Sequence, residues 1–136
     1  MGCSREDVLG AFDALDAVVE SILALDYDAL SAAERVRLEA RLERNLRRIP
    51  TVEHELLASV IAETEPARLG EGSWKKVLTT ALRISGAEAG RRLKRAKTLG
   101  PRRGLTGTPL PPLWESTAAA QAQGLLGEEH VAIIAK

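Results

Sequence analysis

Ten basic side chains lie between Trp74 and Gly104: Lys75, Lys76, Arg83, Arg91, Arg92, Lys94, Arg95, Lys97, Arg102 and Arg103. Only one carboxylate, Glu88, stands among them. Cations at this density can neutralise phosphates, and a basic block beside an acidic one makes a local field that net charge conceals. The net charge here is zero, yet residues 1–73 hold 8 basic and 15 acidic side chains, whereas residues 105–136 hold 1 and 3.

Spacing refines the chemistry. On a helix starting at Gly86, at about 100° per residue, Ala89, Leu93 and Ala96 share an inward stripe. Arg91, Lys94, Arg95 and Thr98 then point away from it, with Arg92 and Lys97 on the flanks. Arg83, Ile84 and Ser85 separate this helix from one ending at Leu82, a turn of the length found in helix-turn-helix pairs, and Ile84 can staple to Ala89. The glycine usual in that turn is missing. A recognition helix reads bases with its first turns, and here those are Gly86, Ala87, Glu88, Ala89 and Gly90, without donors for a bidentate base contact. No aromatics interleave with the charges, so stacking on single strands is not expected. The cations fall later and continue into Arg102 and Arg103, where phosphate contact is the more natural role. Two readings stay open: a surface for nucleic-acid phosphates, or a solvated or partner-binding face, with the acidic first helix as its counterpart.

Catalytic constellations are missing. His54 and His130 have no Cys or His at ligand spacing, whereas zinc needs three or four convergent ligands. Their expected roles are structural. "GTPLPPL" lacks the Lys-Ser/Thr of a phosphate-binding loop, "EEH" is not a metalloprotease motif, and no serine sits in a nucleophile elbow. No carboxylate occupies an apolar setting that would raise its pKa for proton transfer. The expectation is no enzyme, no cofactor, no metal and no small-molecule substrate. Trp74 and Trp114 read as core anchors, and Pro109, Pro111 and Pro112 as a stiff connector.

The positioning elements read as helices throughout. Apolar residues make up 45% and aromatics 3% of the 136 residues, a composition poor in strand formers. Ser4 with Asp7 makes an approximate capping box, and Val8, Phe12, Leu15, Val19 and Ile22 form an apolar stripe on a helix whose charges from Glu6 to Asp28 are all negative. Ser31 with Glu34 caps a second helix, with Leu38, Leu42, Leu46 and Ile49 as its buried stripe. Pro50 breaks or kinks it. The helix resumes through "TVEHELLASVIAETE", with Val52, Leu56, Leu57, Val60 and Ile61 inward. Ser73 caps "WKKVLTTAL", and Ser85 with Glu88 caps the helix from Gly86 to about Leu99. "GPRRGLTGTPLPPL" reads as irregular. Trp114 to about Gln123 is helical, and "GEEHVAIIAK" opens a last amphipathic helix whose Val131, Ile133 and Ile134 have no following element to cover them. Self-association, or stabilisation by further residues, is the expected result. The fold expected is an all-α bundle of about six helices in a single domain, residues 1–136, with one long kinked or broken helix, a helix-turn-helix-like pair and a Pro/Gly-rich loop.

No signal peptide or bilayer-length apolar run is seen, and Glu6 spoils the myristoylation pattern in "MGCSRE". The lone Cys3 fits a reducing cytoplasm.

Several stretches together resemble the actinobacterial 13E12 repeat family of mycobacteria. "LTGTPLPPLWESTAAAQAQGLLGEEHVAIIAK" is similar to that family's proline segment, its Thr-Ala-Ala-Ala-Gln helix and its Gly-x-x-His-Val helix start. "RLERNLRRIPTVEHELLASV" and "LRISGAEAGRRLKRAK" match its helical front region, a domain of unknown function. The resemblance implies a non-catalytic front part of a longer protein, in which an HNH nuclease module follows; none of that module is in these residues. It transfers no functional residues. DNA, a second copy or another protein chain are the partners expected; a membrane is not.

Overall fold

The structure, a computed structural model, describes residues 2–136. It is all-α: seven α-helices and one short 3-10 turn, with a two-stranded ribbon as the only sheet among the described residues. The chain divides into two compact units, Met1–Glu39 and Ala40–Lys136.

In the first unit, α1 (Arg5–Leu23) begins where the Ser4 hydroxyl accepts the Asp7 N–H at 3.0 Å and the Asp7 carboxylate accepts the Ser4 N–H at 3.2 Å. This reciprocal cap satisfies two of the backbone donors that a helix start leaves open. A tight corner follows. The Tyr27 hydroxyl donates to the Ile22 carbonyl at 2.8 Å, and the Arg35 guanidinium donates to the carbonyls of Tyr27 and Asp28 at 3.2 and 3.3 Å. Ser31 and Glu34 then cap α2 (Ala32–Arg48) in the same reciprocal way. Hydrogen bonds from the Ser31 backbone and then its hydroxyl hold the Glu34 carboxyl below its ordinary pKa. No residue of α1 is buried. Its stripe Val8, Phe12, Leu15, Val19 and Ile22 lies open, each residue 43–48% exposed.

The second unit takes in the later part of α2. The expected buried stripe of that helix is a correction: Leu42, Leu46 and Ile49 are exposed and Leu38 is half-buried, and Leu46 and Ile49 line an open cleft instead of packing in the core. The chain passes Pro50 almost without a break. Ile49 keeps right-handed helical angles and donates to the Asn45 carbonyl at 3.0 Å, and Pro50 becomes the first residue of α3 (Pro50–Glu63). There the missing proline N–H costs nothing. The inward face of α3 is rotated from the expected one. His54 and Leu57 are buried, whereas Val52, Leu56 and Ile61 are exposed and Val60 is half-buried, because the next helices pack along the His54–Leu57–Ala58 line.

After the 3-10 turn Pro66–Leu69 come α4 (Trp74–Leu82) and α5 (Gly86–Leu99). α5 packs on both α3 and α4, and Leu57, Leu78, Ala89 and Ala96 form the core, with Ile84 and Leu93 against it. Gly100 ends α5 in close contact with α3. The Pro/Gly-rich segment is not irregular throughout. Arg102–Arg103 (β1) pairs antiparallel with Pro109–Leu110 (β2), and Gly107, with φ of 82°, closes the turn as Gly104 donates to the Thr108 carbonyl at 2.8 Å. Pro109 is tolerated because a two-stranded ribbon has only edges.

The Trp114 N–H donates to the Thr98 carbonyl at 2.9 Å and leads into α6 (Glu115–Ala122). Trp74 and Trp114 are both half-buried. In α7 (Glu128–Ile134), His130 Nδ1 accepts the Gly127 N–H at 2.9 Å, a structural role for that imidazole. Val131 is fully buried, against expectation, while Ile133 and Ile134 are exposed as expected. Arginines near the end of α2 hold the turn between α6 and α7: Arg48 Nε donates to the Ala122 carbonyl at 3.0 Å, and the stems of Arg44 and Arg47 lie against Gly124 and Gly127.

Candidate nucleic-acid interface

The helix pair that carries the basic block is built locally. The Ser73 hydroxyl accepts the Lys76 N–H and the Ser85 hydroxyl accepts the Glu88 N–H, each at 3.1 Å, which starts α4 and α5. Between them Arg83 adopts left-handed angles, φ 56° and ψ 45°. This is the conformation that glycine fills most readily, so the turn keeps its geometry without the expected glycine. Ile84 then packs against the core that includes Ala89. Gly86 and Gly90 are open lanes on α5: a Cβ added at either would stand 3.5 or 3.7 Å from Lys75 Cε, so the aliphatic stem of Lys75 lies across them. Snorkelling of this kind leaves the ammonium free at the surface.

The ten basic residues fall into two sets. Five are committed within the protein. Arg91 makes a two-pronged pair with Glu88, Nε to Oε2 at 3.1 Å and Nη2 to Oε1 at 2.6 Å. Arg92 donates to Glu88 and to Glu53, each at 2.9 Å, and so ties α5 to α3. Arg102 Nε donates to the Pro111 carbonyl at 2.8 Å, and Arg103 to the Gly107 carbonyl at 3.2 Å, bracing the ribbon. Arg95 corrects the wheel: it does not point outward but is 6% exposed, with Glu128 Oε2 3.6 Å from its Nε. Packing on several sides of α5 buries a position that a one-sided wheel leaves in solvent. The second set is Lys75, Lys76, Arg83, Lys94 and Lys97, all exposed and, among the described residues, without an ion pair or side-chain hydrogen bond.

A cleft of about 330 Å³ beside this pair is lined by Glu53, His54, Glu88, Arg91, Arg92, Arg95 and Glu128 over a floor of Leu46, Ile49 and Pro50. Hydrogen bonds from Arg92 and then Arg91 hold the Glu88 carboxyl below its ordinary pKa, and Glu88 in turn raises that of Arg92. Burial lowers the His54 pKa more than the nearby Glu128 and Glu53 raise it. The cleft is therefore charge-balanced rather than cationic. No three of its acidic and imidazole groups converge as metal ligands among the described residues. Glu53 and Glu128, which take up Arg92 and Arg95, had no signal in the sequence, for they lie on other elements 39 and 33 positions away.

Fold and site together define a helical domain containing a helix-turn-helix-like pair that carries five exposed cations without an ion pair among the described residues. No helix among the described residues is long and apolar enough to cross a membrane. The chain belongs to the family described as Domain of unknown function (DUF222), whose sequence model matches residues 34–136. It is 44% identical over 131 residues to "Uncharacterized protein Rv3466" of Mycobacterium tuberculosis (strain ATCC 25618 / H37Rv), covering 96% of this chain and 59% of that one. It is 41% identical over 134 residues to "Uncharacterized protein Rv1128c" of the same strain, covering 98% of this chain and 30% of that one. "Uncharacterized protein Mb1614c" of Mycobacterium bovis (strain ATCC BAA-935 / AF2122/97) is 41% identical, with 96% of this chain and 59% of its own covered. The chain thus spans less than two thirds of the length of these relatives. No solved structure matches it.

Proposed function

We propose that this domain contacts the phosphate backbone of duplex DNA through α4 and α5, as a non-catalytic cytoplasmic accessory region of a longer nuclease-type protein. One observation carries the reading: Lys75, Lys76, Arg83, Lys94 and Lys97 are exposed on the helix-turn-helix-like pair and, among the described residues, make no ion pair or side-chain hydrogen bond. Resemblance to the 13E12 repeat family supports the accessory role, since an HNH nuclease module follows this region there. Small residues in the first turn of α5 favour backbone contact over base readout.

The test is fluorescence anisotropy of a labelled duplex titrated with the chain at several salt concentrations. Each neutralised phosphate contributes about 0.9 to the log–log salt slope, so five contacts give roughly −4.5. Replacing Lys94 by Ala should weaken binding to all sequences alike and reduce the slope by about one unit. No binding at low salt, or salt-insensitive binding to one site, overturns the reading.

A further inference from the structure

We infer that the cleft between the α2–α3 junction and α5 binds a small monocarboxylate with an apolar body, the carboxylate on Arg95 and the body over Leu46, Ile49 and Pro50. This goes beyond the nucleic-acid reading and rests on different residues. Arg95 lines the cleft and is 6% exposed, yet it makes no side-chain hydrogen bond among the described residues, and its buried Nε has no acceptor. Glu128 Oε2 stands 3.6 Å from that Nε, too far to accept, and Gln121 Nε2 donates to the other oxygen of the same carboxylate at 2.9 Å. A buried guanidinium is stable when acceptors take up its N–H groups, and leaving them unmet is costly. A methionine would fill this position of α5 without that cost. The fold instead sets a desolvated cation in the cleft wall with its donors unmet.

Hydrogen-bond donors, not net charge, select the ligand. Three guanidiniums and three carboxylates line the cleft, so its charges balance. Glu88 and Glu53 are taken up by Arg91 and Arg92. Arg95 remains to meet a guest, and beside it the His54 imidazole, 3% exposed and without a side-chain hydrogen bond among the described residues. A planar carboxylate matches the guanidinium fork with two parallel hydrogen bonds, and a balanced lining tolerates its single charge. A phosphate dianion brings two charges to Glu53, Glu88 and Glu128, and their repulsion disfavours it. The floor is apolar, and a volume of about 330 Å³ lies at the lower end for small-molecule sites, which limits the size of the body.

Phenylacetate is the probe, titrated into the isotopically labelled full chain while NMR follows the backbone amides, the arginine Nε–Hε groups and the imidazoles. No substitution is needed. A dissociation constant on the order of 1 mM is expected for so small a ligand, with the largest shifts at Arg95 and His54. Phenylacetamide, which lacks the charge, and inorganic phosphate should each bind about tenfold more weakly or worse. Arg95→Lys keeps the charge but loses the fork and should weaken phenylacetate binding by about tenfold or more, with circular dichroism checking the fold. Glu128→Gln, at a half-buried position, reads the same contact without touching Arg95. It keeps an oxygen for Gln121, removes the competing charge, and should tighten binding about threefold. No saturable shift in the millimolar range, amide or phosphate binding as well as the acid, shifts confined to exposed lysines, or no tightening in Glu128→Gln overturns the inference.

Discussion

Replacing Gly100 by Ala adds one methyl group where the end of α5 meets α3. The backbone there is extended, with φ −82° and ψ 162°, so alanine fits the dihedral angles. Space does not allow it. A Cβ at Gly100 would stand 2.5 Å from the Ala96 carbonyl oxygen, 2.7 Å from the His54 carbonyl oxygen and 2.9 Å from Ala58 Cβ. Two of the three neighbours are main-chain atoms of packed helices, which cannot swing aside as a side-chain tip would. The chain end of α5 and the middle of α3 must separate by several tenths of an ångström, through the core that holds Leu57 and Ala96. Overpacking of this kind costs about 3 kcal/mol, the upper end of its usual range. With a urea dependence of about 1.5 kcal/mol per molar, the unfolding midpoint should fall by about 2 M. Gly10→Ala is the matched control: nothing lies within 4 Å of its added Cβ, and it sits inside α1. There the same methyl should raise helicity and stabilise by roughly 0.5–1 kcal/mol. Urea titrations followed by tryptophan fluorescence and by circular dichroism measure both. A Gly100→Ala protein with a midpoint at or above that of the parent refutes the packing argument.

Arg83→Gly should relieve a left-handed residue and stabilise by about 1 kcal/mol; if Arg83 also meets a phosphate, the salt slope of duplex binding falls by about one unit in the same protein. Glu88→Gln should release Arg91 from its pair and tighten duplex binding at low salt, with a steeper slope; unchanged binding counts against a role for this face. His54, with its pKa lowered from 6.5 by burial, takes up its proton more readily in the unfolded chain. Stability should therefore be full above about pH 6.5 and decline as pH falls below it, and His54→Gln should flatten the urea midpoint between pH 7.5 and about pH 5.

Features that depend on nearby residues were legible in the sequence. The caps at Ser4, Ser31, Ser73 and Ser85 need only a hydroxyl and a backbone N–H three residues on, and all four formed. Pro50 marked the junction of α2 and α3 because its ring acts on its own turn. What failed depended on the number of neighbours an element has. Arg95 is buried because α5 is covered on more than one side, while Leu42 and Leu46 are exposed because α2 is covered on fewer than an apolar stripe implies. The ribbon was hidden by its prolines and glycines, although Gly107 supplies the positive φ that its turn requires. Of the basic block, the sequence yields the charge and the helix pair; the division into free and committed cations depends on Glu53, Glu128 and the carbonyls of Gly107 and Pro111, which only the fold brings near.

Arg44, Arg47 and Arg48 clasp the turn from Ala122 to Gly127 across some 75 positions of chain. Loops of that length close slowly, and contacts of such separation dominate the folding time of a small domain. During synthesis the α2–α3 segment emerges long before the residues that its arginines grip. The arginine side of α2 must therefore wait, unoccupied, while α3 to α6 leave the ribosome. The clasp makes this turn a condition for finishing the earlier-made part of that unit, so the contacts of the α2 arginines form late, and a chaperone has an interval in which to bind.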